Sequence, residues 1–235
     1  MLATKNLKLW LPMEGNANDA SGNSNDGTVN GATLTTGKFG QCYSFDGDDD
    51  YISVNDVLGD IASATTGSIC LWVNIDTDDG NENDIFTITN NAVGFNTELR
   101  LRFDMRTDSN RIGVGIEVDD EPAWSAYSPD GVLDSYVGNW VHITIVHDGT
   151  EAKIYFNAVS QSLTWPVDID RTKWFKALLT DATTKSNVAT LGLLKRDGSD
   201  LAPFDGLIDN PMIFSKALSQ ADIKRVMLGL HPLNG

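Results

Sequence analysis

The sequence is poor in cysteine, in histidine and in basic charge, and it contains no long hydrophobic run. Only two cysteines occur in 235 residues, so one bridge between Cys42 and Cys70 is the most that could form. A core of this size needs no such staple, and two buried free thiols is the preferred reading. No Asn-x-Ser/Thr sequon occurs, so N-glycosylation is not expected. Basic residues number 17 against 33 acidic ones, a formal net charge of −16. A polyanion would approach against a repulsive field, which disfavours nucleic acid as a partner. No window approaches the ~18 consecutive apolar residues of a membrane span. Residues 1–13 alternate in polarity instead of forming a basic region and an apolar stretch, so no signal peptide is visible. That leaves a protein working without Sec export, as a cytosolic or virion protein would, or one whose leader was trimmed. An extracellular or virion-surface location is expected.

Familiar catalytic signatures are missing too. There is no Gly-x-Ser-x-Gly and no His-Glu-x-x-His, and with scattered histidines and separated cysteines no nucleophile triad is readable. Residues 31–38 have one residue too many for a phosphate loop, with Phe39 where Ser or Thr is needed. His142 and His147 lie five residues apart on one strand pattern, hence on opposite faces, which does not suit a shared metal.

What is present is period-2 alternation. In residues 7–13 the odd positions are apolar, and similar short runs recur at 41–45, 51–54, 68–75, 85–89, 99–105, 112–118, 140–147, 153–156, 189–193 and 206–214. Clusters of Gly, Asn, Asp, Ser and Thr separate them, the residues that supply positive φ or Asx turns. Many short strands with polar turns predict an antiparallel β-sandwich, and the length suits a single domain over residues 1–235. One helix stands out: Ser219 and Asp222 form a capping-box pattern ahead of Ile223, Val226, Met227 and Leu230 on one face. Residues 170–179 are a second, weaker helical candidate. The acidic stretch 76–84 reads as a loop between strands; its Asp76, Asp78 and Gly80 begin like an EF-hand, but Gly stands where an oxygen ligand is needed.

Several motifs then fall in an informative order. Asp19-Ala-Ser-Gly-Asn23 with Asp26-Gly-Thr28 is followed by Phe45-Asp-Gly47 and Asp50-Tyr-Ile-Ser-Val54. Trp72 sits in the strand pattern 68–73, and Asn139-Trp-Val-His-Ile143 precedes Asp148-Gly-Thr150 and Ile154-Tyr-Phe-Asn157. The chain closes with Phe204-Asp-Gly-Leu-Ile-Asp209, Ile213-Phe214, Ala217-Leu-Ser219 and Asp222-Ile223. This order resembles the laminin-G-like jelly roll of the concanavalin A-like lectin/glucanase superfamily. The resemblance implies an all-β, concanavalin A-like sandwich with one short C-terminal helix, and core roles for Trp10, Trp72 and Trp140. Residues 97–135 and 160–185 exceed a minimal member, and such insertions are where individual function would sit.

Three candidate chemistries follow. The resemblance brings the segments bearing Asp19, Asp46, Asp48, Asp49, Asp50 and Asp209 near one edge and implies a structural Ca2+ there; hard cations need several oxygen ligands. Asp209, an acid inside an apolar run, is the foremost single ligand because it needs a partner. Glu117, Asp119 and Glu121 have the alternate spacing that would put three carboxylates on one strand face, as in retaining glucanases. Against this, Asp120 stands where that motif has an apolar residue, and Pro122 follows at once. Trp124, Tyr127, Trp165 and Trp174 lie in turn-rich insertions, with Tyr136 and Phe175 nearby; loop aromatics stack sugars or anchor protein interfaces, or fold back as a satellite cluster. The leading reading is a non-catalytic lectin-like module that recognises carbohydrate or a protein surface, organised by calcium. The alternatives are a phage or virus particle protein, such as a capsid decoration or tail-associated adhesin forming a homo-oligomer or virion assembly, and a glycoside hydrolase or polysaccharide lyase.

Overall fold

The computed structural model describes residues 6–76, 80–92, 96–106 and 109–230. Alternating side chains sort the strands into two stacked sheets of eight. The first runs, in spatial order, β13 (Val159–Ser160), β12 (Ala152–Phe156), β11 (Val141–His147), β6 (Gly67–Ile75), β18 (Asp205–Phe214), β4 (Gln41–Asp46) and β3 (Thr33–Thr36), with β1 (Leu7–Trp10) also on β18. The second runs β14 (Thr164–Asp168), β10 (Glu121–Tyr127), β9 (Arg111–Val118), β8 (Glu98–Asp104), β7 (Glu82–Thr89), β15 (Val188–Leu191), β5 (Tyr51–Ser53) and β2 (Thr28–Asn30). A small hairpin of β16 (Leu194–Arg196) and β17 (Ser199–Leu201) completes the strands. All these strand pairs are antiparallel, as the alternation predicts.

The inward faces meet in one apolar cluster. Leu71, Val73, Ile143 and Ile145 of the first sheet face Phe86, Leu101, Val114 and Ile116 of the second. This is the interleaving that a sandwich buries between its layers. The helix read from residues 219–230 is α2 (Gln220–Met227); α1 (Val57–Ile61) is an additional short one. Ser219 Oγ accepts from the Asp222 amide while the Asp222 carboxylate accepts from the Ser219 amide, the expected reciprocal cap. Ile223 and Val226 then pack on Met212, Phe214 and Cys70 on the outer side of the first sheet. Cys42 and Cys70 are separate buried thiols, each pushed up to about 12, chiefly by burial.

Several expectations shift. Residues 170–179 are helical only in their second half: Asp170 Oδ1 accepts from the Thr172 amide and hydroxyl in an Asx turn, and the helical turn starts at Phe175 and continues as a π-helix over Ala177–Asp181. Trp72 is buried, but on the outer face, where its ring meets Phe39 and His142 edge-on; Trp10 and Trp140 are half-buried. Residues 77–79, with Asp78, lie outside the described residues.

His142 gives a pH test of this packing. It is 1% exposed opposite Trp72, and burial lowers its imidazole pKa to about 3. The neutral ring therefore contributes stability above the unfolded value of about 6.5, lost as pH falls below it at about 1.4 kcal/mol per unit. His142→Gln is expected to flatten the loss of stability between about pH 6.5 and pH 4.5, read by urea unfolding. An unchanged slope would show that the ring titrates freely.

Candidate functional site

The second sheet turns an unusually polar face outward. Leu99, Leu101 and Phe103 point into the core, so the alternation of β8 sends Arg100, Arg102 and Asp104 out. On β9 the core takes Ile112, Val114 and Ile116, and the outward positions are Arg111, Gly113, Gly115 and Glu117. Register sets Gly115 opposite Arg100, Gly113 opposite Arg102 and Glu117 opposite Glu98.

Gly115 makes the floor, and Gly113 is buried beside the Tyr127 ring. A Cβ on Gly113 would come within 2.7 Å of the Tyr127 ring, and one on Gly115 within 3.3 Å of the Trp124 carbonyl. Tyr127, Ser125 and Val167 border one side. On the other, the β16–β17 hairpin is pinned over the sheet: Thr87 Oγ1 donates to the Leu193 carbonyl (3.2 Å) and Thr89 Oγ1 to that of Lys195 (2.6 Å). Between them lies a groove of about 230 Å³, lined by Glu98, Arg100, Arg102, Gly115, Glu117 and Tyr127 among others, with Arg196 from the hairpin. A second hollow of about 380 Å³ adjoins Glu82, Arg106, Ala202 and Pro203.

Ion pairs fix the arginines. Arg100 Nε donates to both Asp84 oxygens at 3.1 Å and Nη2 donates to Asp84 Oδ2 at 2.6 Å and Glu82 Oε2 at 3.1 Å. Asp84 is wholly buried; its carboxyl is pushed up to about 6 by burial, opposed by Arg100. Arg102 Nη2 donates to the Tyr127 hydroxyl at 2.5 Å, and its Nε faces Glu82 at 2.9 Å without hydrogen-bond geometry. Arg111 lies 4.1 Å over the Tyr127 ring and donates to Asp104. Glu117 is raised by burial and then by Glu98 beside it.

The aromatics expected to stack on sugar separate. Trp124 borders the groove yet is 1% exposed, because β10 is a strand and Trp124 sits inward opposite Ile116. Its indole stacks on Trp174 at 6.3 Å and donates to the Lys173 carbonyl at 3.0 Å. Trp174 is 1% exposed as well, and Trp165 is half-buried with Arg171 held 3.9 Å over its ring. Tyr127 alone of the four has its ring on the groove side. The turn-rich reading of this segment is corrected: Pro122 has no N–H to donate, the register slips between Pro122 and Trp124, and the strand continues.

The carboxylate triple does not assemble either. Asp119 (φ 53°) and Asp120 (φ 64°) form the two-residue turn between β9 and β10. The Asp119 carboxylate accepts from the Thr183 and Thr184 amides at 2.8 Å, and Glu121 is exposed outside the groove. Only Glu117 faces it.

The six acids expected near one calcium fall into three separate places. Asp209 is buried, accepts from the Phe39 amide at 2.9 Å and Asn210 Nδ2 at 2.8 Å, and is raised to about 6 by burial. Asp19 organises its own turn, accepting from the Trp10, Ser21 and Asn25 amides. Asp46 instead meets Asp49 and Asp50, with carboxylate oxygens within 4.8 Å of one another. Asp48, in the same turn, donates its amide to Asp46 Oδ1 at 3.0 Å.

Sequence reasoning missed the arginines. The available signal was the run Leu99-Arg-Leu-Arg-Phe103 beside Gly113-Val-Gly115: charge on every second residue of a strand, facing glycine on every second residue of the next.

Comparison with known proteins adds the following. No curated protein matches the chain in sequence. Among solved structures, the chain is similar to the CBM40 module of the Ruminococcus gnavus IT-sialidase bound to α2,3-sialyllactose. Identity there is 14% and the TM-score 0.64, covering 79% of this chain and 96% of that one. It is similar to domain 4 of the GH43 extracellular arabinanase AbnA from Geobacillus stearothermophilus in complex with arabinotriose, at 19% identity and TM-score 0.61, covering 94% and 98%. It is also similar to the botulinum neurotoxin serotype D binding domain, at 20% identity and TM-score 0.67, covering 97% of this chain and 51% of that one. A laminin G family model described as Concanavalin A-like lectin/glucanases superfamily matches residues 46–224. On that match, which spans most of both sheets and reaches into α2, the chain belongs to the concanavalin A-like lectin/glucanase superfamily.

Proposed function

We propose that the chain is a non-catalytic carbohydrate-binding module whose sugar site is the groove on β8, β9 and β10. The observation that carries this reading is the groove itself: a glycine floor between arginines and carboxylates held by ion pairs on rigid strands. Fixed donors and acceptors on strands suit recognition of hydroxyls. Fold alone does not assign function, but two modules of similar fold were solved with sialyllactose and arabinotriose, which supports a sugar ligand here. The groove carboxylates Glu98 and Glu117 neighbour each other on paired strands.

The test is Gly115→Leu. Gly115 has no positive φ, so a side chain there needs no backbone strain; its Cβ sits 3.3 Å from the Trp124 carbonyl, which has to shift by a few tenths of an ångström as the side chain fills the groove. Glycan binding, read by array and calorimetry, is expected to fall by at least about tenfold, or 1.4 kcal/mol, with the unfolding midpoint nearly unchanged. Undiminished binding would remove the site from this groove.

The calcium expectation rests on Asp46, Asp49 and Asp50. Their carboxylates converge, and Asp50 is raised first by burial and then by its acidic neighbours, opposed by the hydrogen bond it accepts from the Asp46 amide. That donor set fits a hard cation. Weak extracellular-type sites bind calcium at about 10⁻⁴–10⁻³ M, so about 10 mM is expected to stabilise the fold by about 1.4–2.7 kcal/mol. Asp50→Asn should abolish the shift in melting temperature. A wild-type protein indifferent to calcium and to chelator would remove the cation from this turn.

A further inference from the structure

We propose that the groove takes an internal stretch of a neutral glycan chain laid along β8 and β9, in preference to a terminal acidic sugar. This rests on the carbohydrate reading above and adds the ligand's length and charge.

Length comes from the geometry of the face. The outward positions of β8 run from Glu98 to Asp104, about 20 Å at the rise of a strand. One hollow lies toward Glu98, Glu117 and Arg196, the other toward Arg106 and Pro203. Glu82 joins them. Its carboxylate lies 3.1 Å from Arg100 and 2.9 Å from Arg102 in the first, and 2.6 Å from Arg106 in the second. A single ring would use only one end of this continuous run of charged groups.

Neutrality follows from the pairing. Arg100 is matched by Asp84 and Arg196 by Glu98. Arg106 and Arg111 share Asp104, and Arg102 faces Glu82. The Glu117 carboxylate adds a further negative charge beside Glu98. A ligand carboxylate would therefore have to displace a protein carboxylate from its arginine, stranding a charge that is already largely desolvated. It would also approach a chain of net charge −16. Hydroxyls pay neither cost: vicinal hydroxyls accept from the guanidinium edges and donate to the carboxylates without breaking the pairs. Stacking contributes little, since the Tyr127 ring already carries Arg111 on one face. Recognition then accumulates by hydrogen bonds, ring by ring.

The experiment measures affinity of the intact chain for arabino-, xylo- and cello-oligosaccharides of two to six units, beside 3′-sialyllactose, by array and then calorimetry. At least one neutral series is expected to gain about tenfold from the disaccharide to the tetrasaccharide, and Arg106→Ala is expected to shrink that gain. Preference for sialyllactose would overturn the proposal, and so would a disaccharide bound as tightly as the hexasaccharide. A protein that binds none of these glycans, neutral or acidic, would overturn the carbohydrate reading itself. A protein that binds them with the wrong charge or length preference would overturn only this inference.

Discussion

Trp124→Ala is expected to cost about 4 kcal/mol of folding stability, the range of buried Trp truncations, read by urea unfolding. The indole is 1% exposed and packed among Trp174, Trp165 and His147, with its N–H committed to the Lys173 carbonyl. Truncation opens a cavity that the neighbouring rigid rings cannot fill and leaves that carbonyl without its donor. The outcome separates two roles. A sugar-stacking tryptophan would lose binding while the fold kept its stability; a core tryptophan loses stability first. A cost under about 1 kcal/mol would contradict the packing described here.

Arg100→Ala is the second large effect, at about 3–5 kcal/mol, because it strands a buried carboxylate. Asp84 is wholly buried, and Arg100 is its ion-pair partner at 2.6 Å. The pH dependence has a definite sign. Asp84 has a folded pKa raised to about 6 from 3.8 even with Arg100 in place, and removing the guanidinium raises it further. A raised acid contributes stability that is complete below the unfolded value and lost as pH climbs through the folded one. The penalty of Arg100→Ala is therefore expected to be larger at about pH 8 than at about pH 5, where Asp84 takes up a proton. Combining Arg100→Met with Asp84→Leu should recover most of the loss, since paired apolar replacements of a buried ion pair are often neutral. A penalty that is small and independent of pH would mean that Asp84 is solvated.

How far these features could be read from sequence depends on which local rule each segment obeys. The strands at 99–105 and 112–118 alternate cleanly and those at 68–75 and 206–214 are apolar runs buried on both faces, and structure follows all four within a residue or so. The capping box at Ser219 specified α2 because both of its hydrogen bonds are local. β10 and β14 carry Pro122 and Pro166, residues that interrupt a strand pattern. Pro122 is accommodated by a register slip, and Pro166 lies on β14, the outermost strand of its sheet, where a missing N–H costs no ladder bond. β3 is exposed along its whole length, so no burial period marks it.

For the site, residues 97–135 line most of the groove proposed above, while Trp124, the tryptophan of that segment, is buried beside it. Trp124 obeys the alternation of β10 and goes inward, while Tyr127, Arg100, Arg102, Gly113 and Gly115 take the outer face. That choice depends on which side the second layer covers, which pairing across the sandwich decides. The alternate carboxylates at 117–121 failed for a related reason, since spacing could not reveal that Asp119 and Asp120 both adopt positive φ.

Chemical-shift mapping tests the proposed sugar site most directly: isotope-labelled protein is titrated with the tightest-binding glycan of the oligosaccharide series above. Perturbations are expected at the amides of Arg100, Arg102, Gly113, Gly115 and Tyr127, and at Arg196 on the hairpin wall. Shifts confined to the turn at residues 46–50, or to the surroundings of Trp165, with β8 and β9 silent, would contradict a sugar-binding groove on this face.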